Sequence, residues 1–137
     1  MENAIRVLVI DDDEDYRTSI QSFLEAEGFQ VASAACGKEG LQLARALRPD
    51  VVILDIMMES PTEGYVVNES LKYCQEYDAC KDTPIIMCSS IQNSPDELYP
   101  RAEEVAMIRP DAYLAKPLDL EQLLATIKRL ARRPAIA

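Results

Sequence analysis

At 137 residues, with 48% apolar and 28% charged side chains, the chain fits one compact domain with a substantial core and excludes a disordered segment. Fourteen Lys and Arg against 24 Asp and Glu leave a net charge of −10, which repels a phosphate backbone, so direct nucleic-acid binding is not expected. No apolar run approaches a membrane span, and the first six residues show no basic region followed by an apolar stretch. The expectation is a cytoplasmic protein with no membrane partner.

Taken in chain order, residues 6–10 form a short apolar run that ends on the acidic stretch Asp11-Asp12-Asp13-Glu14-Asp15. A helical pattern follows, Tyr16, Ile20, Phe23 and Leu24, closing at Gly28. Residues 30–34 form a second run, and Leu41, Ala44 and Leu47 a second helical pattern that stops before Pro49. The third run, 51–54, leads into Asp55, and Val67, Leu71 and Cys74 mark a third helical face. The fourth run, 85–88, leads into Ser89. After it, Ser94-Pro95-Asp96-Glu97 reads as a capping box, but Pro100 predicts a broken or late-starting helix. The fifth run, 112–114, precedes Lys116-Pro117 and a helical pattern of Leu120, Leu123, Leu124, Ile127 and Leu130. The runs look like strands buried on both faces. Five of them alternating with five helical segments predict a doubly wound α/β domain: a mostly parallel sheet, right-handed crossovers and helices on both faces. One domain is expected over 1–137, with its core in about 6–130 and no repeat, linker or effector segment.

In such a sheet, ligands bind outside the carboxyl ends of the strands. Asp11 and Asp12 stand at the end of the first strand and Asp55 at the end of the third. If those strands are neighbours, three carboxylates converge, and the cluster needs protons or a cation. An all-oxygen donor set points to Mg²⁺. Ser89 and Lys116 add a hydroxyl and a cation at the same edge, a set suited to in-line phosphoryl transfer with aspartyl phosphate as product. Each residue also has a plainer reading. The acidic run is equally a solvated helix start, Asp55 a turn residue, Ser89 a cap and Lys116-Pro117 an ordinary loop. The joint placement carries the signal. Cys36, Cys74, Cys80 and Cys88 lack paired spacing and there is no His, which argues against zinc and for four reduced thiols, Cys88 being buried in a strand.

Over residues 6–130 the chain resembles the receiver domain of two-component response regulators. The resemblance is carried by Val7-Leu8-Val9-Ile10-Asp11-Asp12-Asp13, by Val51-Val52-Ile53-Leu54-Asp55-Ile56-Met57-Met58, by Pro84-Ile85-Ile86-Met87-Cys88-Ser89-Ser90, and by Tyr113-Leu114-Ala115-Lys116-Pro117-Leu118. It implies the strand order 2-1-3-4-5. It also implies Asp55 as phosphoacceptor, Asp12 as a direct Mg²⁺ ligand, Asp11 as a water-mediated one and Met57 as a ligand through its backbone carbonyl. Ser89 takes the switch-hydroxyl position, Tyr113 that of the responding aromatic and Lys116 that of the phosphoryl-binding cation, with the Lys116-Pro117 bond resembling the family's cis peptide. The implied partners are a sensor histidine kinase or histidine phosphotransfer protein as donor and an output protein the sequence does not specify, with a phosphorylation-dependent dimer as one outcome. A receiver is not a dedicated enzyme; it assists its own phosphorylation and dephosphorylation.

The sequence departs from the pattern in three places. The loop after Asp55 has Glu59 where Pro is common and one residue more than usual. The stretches 64–84 and 89–116 are each a few residues longer than usual. Two past the acceptor and two past the switch hydroxyl stand Met57 and Ile91, both apolar. Two other classes of function stay open at this point: a metal-dependent phosphatase with Asp11 as nucleophile and Asp13 as acid/base, and a receiver fold used only to bind proteins.

Overall fold

Val, Ile and Leu crowd the first, third and fourth short runs, and such residues pack well on a pleated surface covered by helices; the second and fifth runs hold one each. The five runs form β1 (Arg6–Ile10), β2 (Gln30–Ala34), β3 (Val51–Asp55), β4 (Ile85–Ser89) and β5 (Ala112–Ala115). The helices are α1 (Glu14–Ala26), α2 (Gly37–Leu47), α3 (Glu63–Tyr73) and α4 (Leu120–Leu130). This is a computed structural model, and it describes residues 4–55, 63–89, 111–115 and 118–131. The expected broken helix around Pro100 lies outside the described residues.

All four strand pairings are parallel, and the order is β2-β1-β3-β4-β5, as the resemblance implied. Alternate side chains of each strand supply two cores. Val7, Val9, Val51, Ile53, Ile86 and Cys88 pack with Ile20 and Leu24 of α1 and Leu123 and Ile127 of α4. Leu8, Ile10, Val52, Leu54, Ile85 and Met87 pack with Ala44 of α2 and Val67 and Leu71 of α3 on the other face. Each fully buried side chain of this size contributes about 1.5–3 kcal/mol, so the central strands carry most of the stabilisation.

Burial on both faces holds for β1, β3 and β4 but not for β2 and β5. Val31, Ala32, Ser33, Ala112 and Tyr113 are only half-buried, because these strands form the sheet edges and have a neighbour on one side only. Three strands also run one residue past the predicted end, so Asp55, Ser89 and Ala115 are the last residues of β3, β4 and β5. Periodicity marks the apolar core of a strand and not its polar last residue. Cys74, assigned to the third helical face, falls beyond α3 and is exposed. After it comes a 3₁₀ segment, Gln75–Cys80, which accommodates the extra length noted in the sequence. It ends on buried Cys80, whose thiol donates to the Ala44 carbonyl at 3.4 Å.

Local chemistry explains the element ends. After α1, Gly28 adopts φ +96°, its N–H bonds Glu25 O at 3.0 Å, and Phe29 N bonds Leu24 O at 3.0 Å, which closes the helix and packs Phe29 against the core. Two carboxylates staple strand starts. Asp50 accepts Arg6 N–H at 2.8 Å, and Asp111 accepts Ile85 N–H at 2.8 Å while pairing with Lys72 at 2.9 Å. At the end of α2, Arg48 takes φ 49°, the left-handed region that a side chain with a Cβ disfavours. Arg48→Gly is expected to raise stability by about 0.5–1 kcal/mol despite the added freedom of the unfolded chain. A urea midpoint at or below that of the parent would show that Arg48 adopts this conformation without strain.

Candidate acidic phosphoryl site

The site is built at the carboxyl edge where β1 and β3 lie side by side. Ile10 is in register with Leu54, so the next residue of each strand, Asp11 and Asp55, emerges at the same level. Carboxylate oxygens of Asp11, Asp12 and Asp55 all lie within 4.8 Å of one another. Asp11 is 3% exposed and Asp55 6%, whereas Asp12 faces solvent. Two unit charges at that separation repel by about 3 kcal/mol at an effective dielectric constant of about 20, so the ionised cluster calls for a cation. Three hard oxygen donors, one open to water, fit a small divalent ion that retains part of its hydration shell, which is the behaviour of Mg²⁺.

The acidic run divides its labour. Asp13 is the N-cap of α1, its carboxylate accepting Tyr16 N–H at 3.1 Å, while Glu14 and Asp15 occupy the dipole-favoured first turn. The run therefore supplies both the helix start, at Asp13 to Asp15, and two carboxylates of the cluster, Asp11 and Asp12. Asp11 is fixed from several sides. Its Oδ1 accepts Asp13 N–H at 2.9 Å, its own N–H bonds Ala34 O at 3.1 Å, and its carbonyl accepts Arg17 Nη1 at 2.7 Å. The sequence reading missed Arg17, although its place four residues after the cap puts it back over the strand–helix turn.

Among the other predicted residues, Ser89 ends β4 and its backbone stands in register with Ala115, next to the strand that carries Asp55. Its side chain lies outside the described atoms. Tyr113 is half-buried in register with Met87, its ring packed on the core beneath α2 and α3. Met57, Ile91, Lys116 and Pro117 lie outside the described residues. Tyr16, read from the sequence only as part of the apolar face of α1, has its hydroxyl oxygen buried. Burial pushes this phenol far above its ordinary pKa, with Cys88, Asp11 and then Asp55 acting in the same direction and the Leu118 backbone acting against them.

The family model of the response regulator receiver domain matches residues 7–128, nearly the whole chain. The chain belongs to that family. It is 38% identical over 128 residues to the transcriptional regulatory protein PrrA of Mycobacterium tuberculosis, covering 93% of this receiver and 50% of that protein. Response regulator MprA of Mycolicibacterium vanbaalenii is 34% identical over 129 residues, covering 94% of this receiver and 51% of that protein. The receiver thus spans about half the length of the curated relatives it matches. Among solved structures, the chemotaxis protein CheY4 of Vibrio cholerae superposes with a TM-score of 0.77 at 31% identity, covering 93% of this receiver and 98% of that chain. Among the described residues, no helix is long and apolar enough to cross a membrane.

Proposed function

We propose that this receiver accepts a phosphoryl group on Asp55 from the phosphohistidine of a sensor histidine kinase or histidine phosphotransfer protein. The convergence of Asp11, Asp12 and Asp55 within 4.8 Å at the ends of two adjacent strands carries the reading. An Asp55 carboxylate oxygen attacks phosphorus in line, the phosphorus–nitrogen bond to the donor breaks, and the imidazole leaves with a proton. These 137 residues contain no His, so the donor histidine lies outside the receiver. By the family resemblance, Asp12, Asp55 and the Met57 carbonyl would hold Mg²⁺, with Asp11 acting through water, and the ion would supply charge neutralisation for the carboxylates and the phosphoryl oxygens.

By the family resemblance, Lys116 and the Ser89 hydroxyl then bind phosphoryl oxygens, and Tyr113 turns inward as Ser89 moves. Phosphorylation acts as a population shift between two states that control a partner. The domain is not a dedicated enzyme, and it works in the cytoplasm. The charge of −10 keeps nucleic-acid contact away from this domain, even though the name of PrrA marks that protein as a transcriptional regulator. The phosphatase alternative loses support because Asp13, its required acid/base, is engaged as the helix cap.

Asp12→Ala is expected to weaken Mg²⁺ binding by about tenfold or more, because one of three charged ligands is gone. Calorimetric titration with Mg²⁺ checks this. A parent protein that binds neither Mg²⁺ nor Mg²⁺ with beryllofluoride would support the protein-binding module instead. The aspartyl phosphate is expected to decay slowly, since the apolar Met57 and Ile91 offer no hydrogen bond to an attacking water. The double variant Met57→Asn with Ile91→Glu should shorten the lifetime, and an unchanged decay rate counts against this role.

A further inference from the structure

We propose that Arg17 is a positioning residue for the acidic site: through the Asp11 carbonyl, its guanidinium holds the peptide that joins Asp11 to Asp12 and so aims the Asp12 carboxylate at the cation. The proposal rests on the reading of the cluster as a Mg²⁺-dependent phosphoryl site.

The chain leaves β1 through two successive acids with unlike surroundings. Asp11 is buried, and its carboxylate accepts the N–H of Asp13 at 2.9 Å. Asp12 faces solvent, where packing does not lock a side chain, yet its carboxylate belongs to the same cluster within 4.8 Å. The direction of Asp12 is therefore set largely by the backbone that carries it. Two bonds fix that backbone. The N–H of Asp11 donates to Ala34 O, the last residue of β2, at 3.1 Å, and its carbonyl accepts from Arg17 Nη1 at 2.7 Å. A peptide is planar, so holding the Asp11 carbonyl holds the ψ of Asp11 and the φ of Asp12 together.

Arg17 is placed for this by α1. Its N–H bonds Asp13 O at 3.0 Å in the first turn, and helical side chains lean toward the N-terminus, which brings the half-buried guanidinium back over the strand end. A charged donor makes a stronger bond than a neutral one, and its removal leaves the carbonyl of a buried residue to find another partner. The guanidinium is also a positive charge beside a cation site. On charge alone, losing it would tighten Mg²⁺ binding, because like charges repel. Positioning and charge thus predict opposite signs.

Amide NMR titrations with Mg²⁺ on the intact chain test this in the parent, Arg17→Met and Arg17→Lys, and in Arg17→Met combined with Asp12→Ala. Arg17→Met, which keeps the apolar stem without a donor, is expected to lower Mg²⁺ affinity about tenfold, and Arg17→Lys, which restores a charged donor, to bind within about threefold of the parent. In the Asp12→Ala background, Arg17→Met should change affinity by less than about twofold, since the carboxylate it aims is gone. Retained amide shifts across β3 and β4 show that a variant is folded. Should Arg17→Met fail that control, Arg17→Gln, which has neither the charge nor the reach of Arg, replaces it with the same expectation. Mg²⁺ affinity in Arg17→Met equal to or above that of the parent overturns the proposal, as does an undiminished loss in the Asp12→Ala background, and both leave the phosphoryl site standing. A parent that binds neither Mg²⁺ nor Mg²⁺ with beryllofluoride overturns the site and the role of Arg17 together.

Discussion

Asp55→Asn is expected to abolish phosphoryl labelling while the protein stays folded. The amide is isosteric with the carboxylate, so the end of β3 keeps its shape and its register with β1 and β4. Its oxygen, however, is a poor nucleophile at phosphorus, and Asp11 and Asp12 belong to the β1 end and not to the strand where the acceptor stands. Mg²⁺ binding should weaken too, since a charged ligand is removed. Incubation with labelled acetyl phosphate and Mg²⁺, with circular dichroism as the folding control, checks both parts. Labelling at the parent level would sink the assignment of Asp55.

Gly40→Ala is expected to destabilise the domain by about 1–3 kcal/mol through overpacking. A Cβ at Gly40 would overlap the Ile10 side chain, meeting Cδ1 first, with Cγ1 at 2.7 Å and Cγ2 at 3.1 Å. Ile10 has no room to yield, being fully buried in central β1 directly before Asp11. Either α2 lifts from the sheet or the end of β1 shifts, and the second path disturbs the acidic site. Ile10→Val removes the nearest clashing atom and should recover part of the loss, giving a favourable coupling in a double-mutant cycle of urea midpoints. Additive losses would show that the strain at Gly40 lies elsewhere.

The parts of this molecule that were legible in the sequence are those set by a short period. Continuous apolar runs at β1, β3 and β4, alternating with helical patterns, pointed to the doubly wound class, and the Gly28 and Pro49 stops fixed the ends of α1 and α2. The convergence of the Asp residues followed from strand adjacency once the order was supplied, and the order came from the family resemblance and not from periodicity. The half-exposure of β2 and β5 was not legible, because a residue's place at a sheet edge depends on partners far along the chain. Nor was the 3₁₀ segment, in which Tyr77 breaks the helical path at φ −111° and ψ 27°. Tyr16 illustrates the deeper limit. Its helical spacing shows that it packs inward, but only the assembled fold shows that its hydroxyl oxygen is buried with the ring.

Mass-spectrometric location of the adduct after incubation with acetyl phosphate and Mg²⁺ tests the central claim most directly. The predicted result is a single phosphoryl group, dependent on Mg²⁺, on the peptide that carries Asp55. A phosphoryl group on Asp11, or on no aspartate at all, would contradict it.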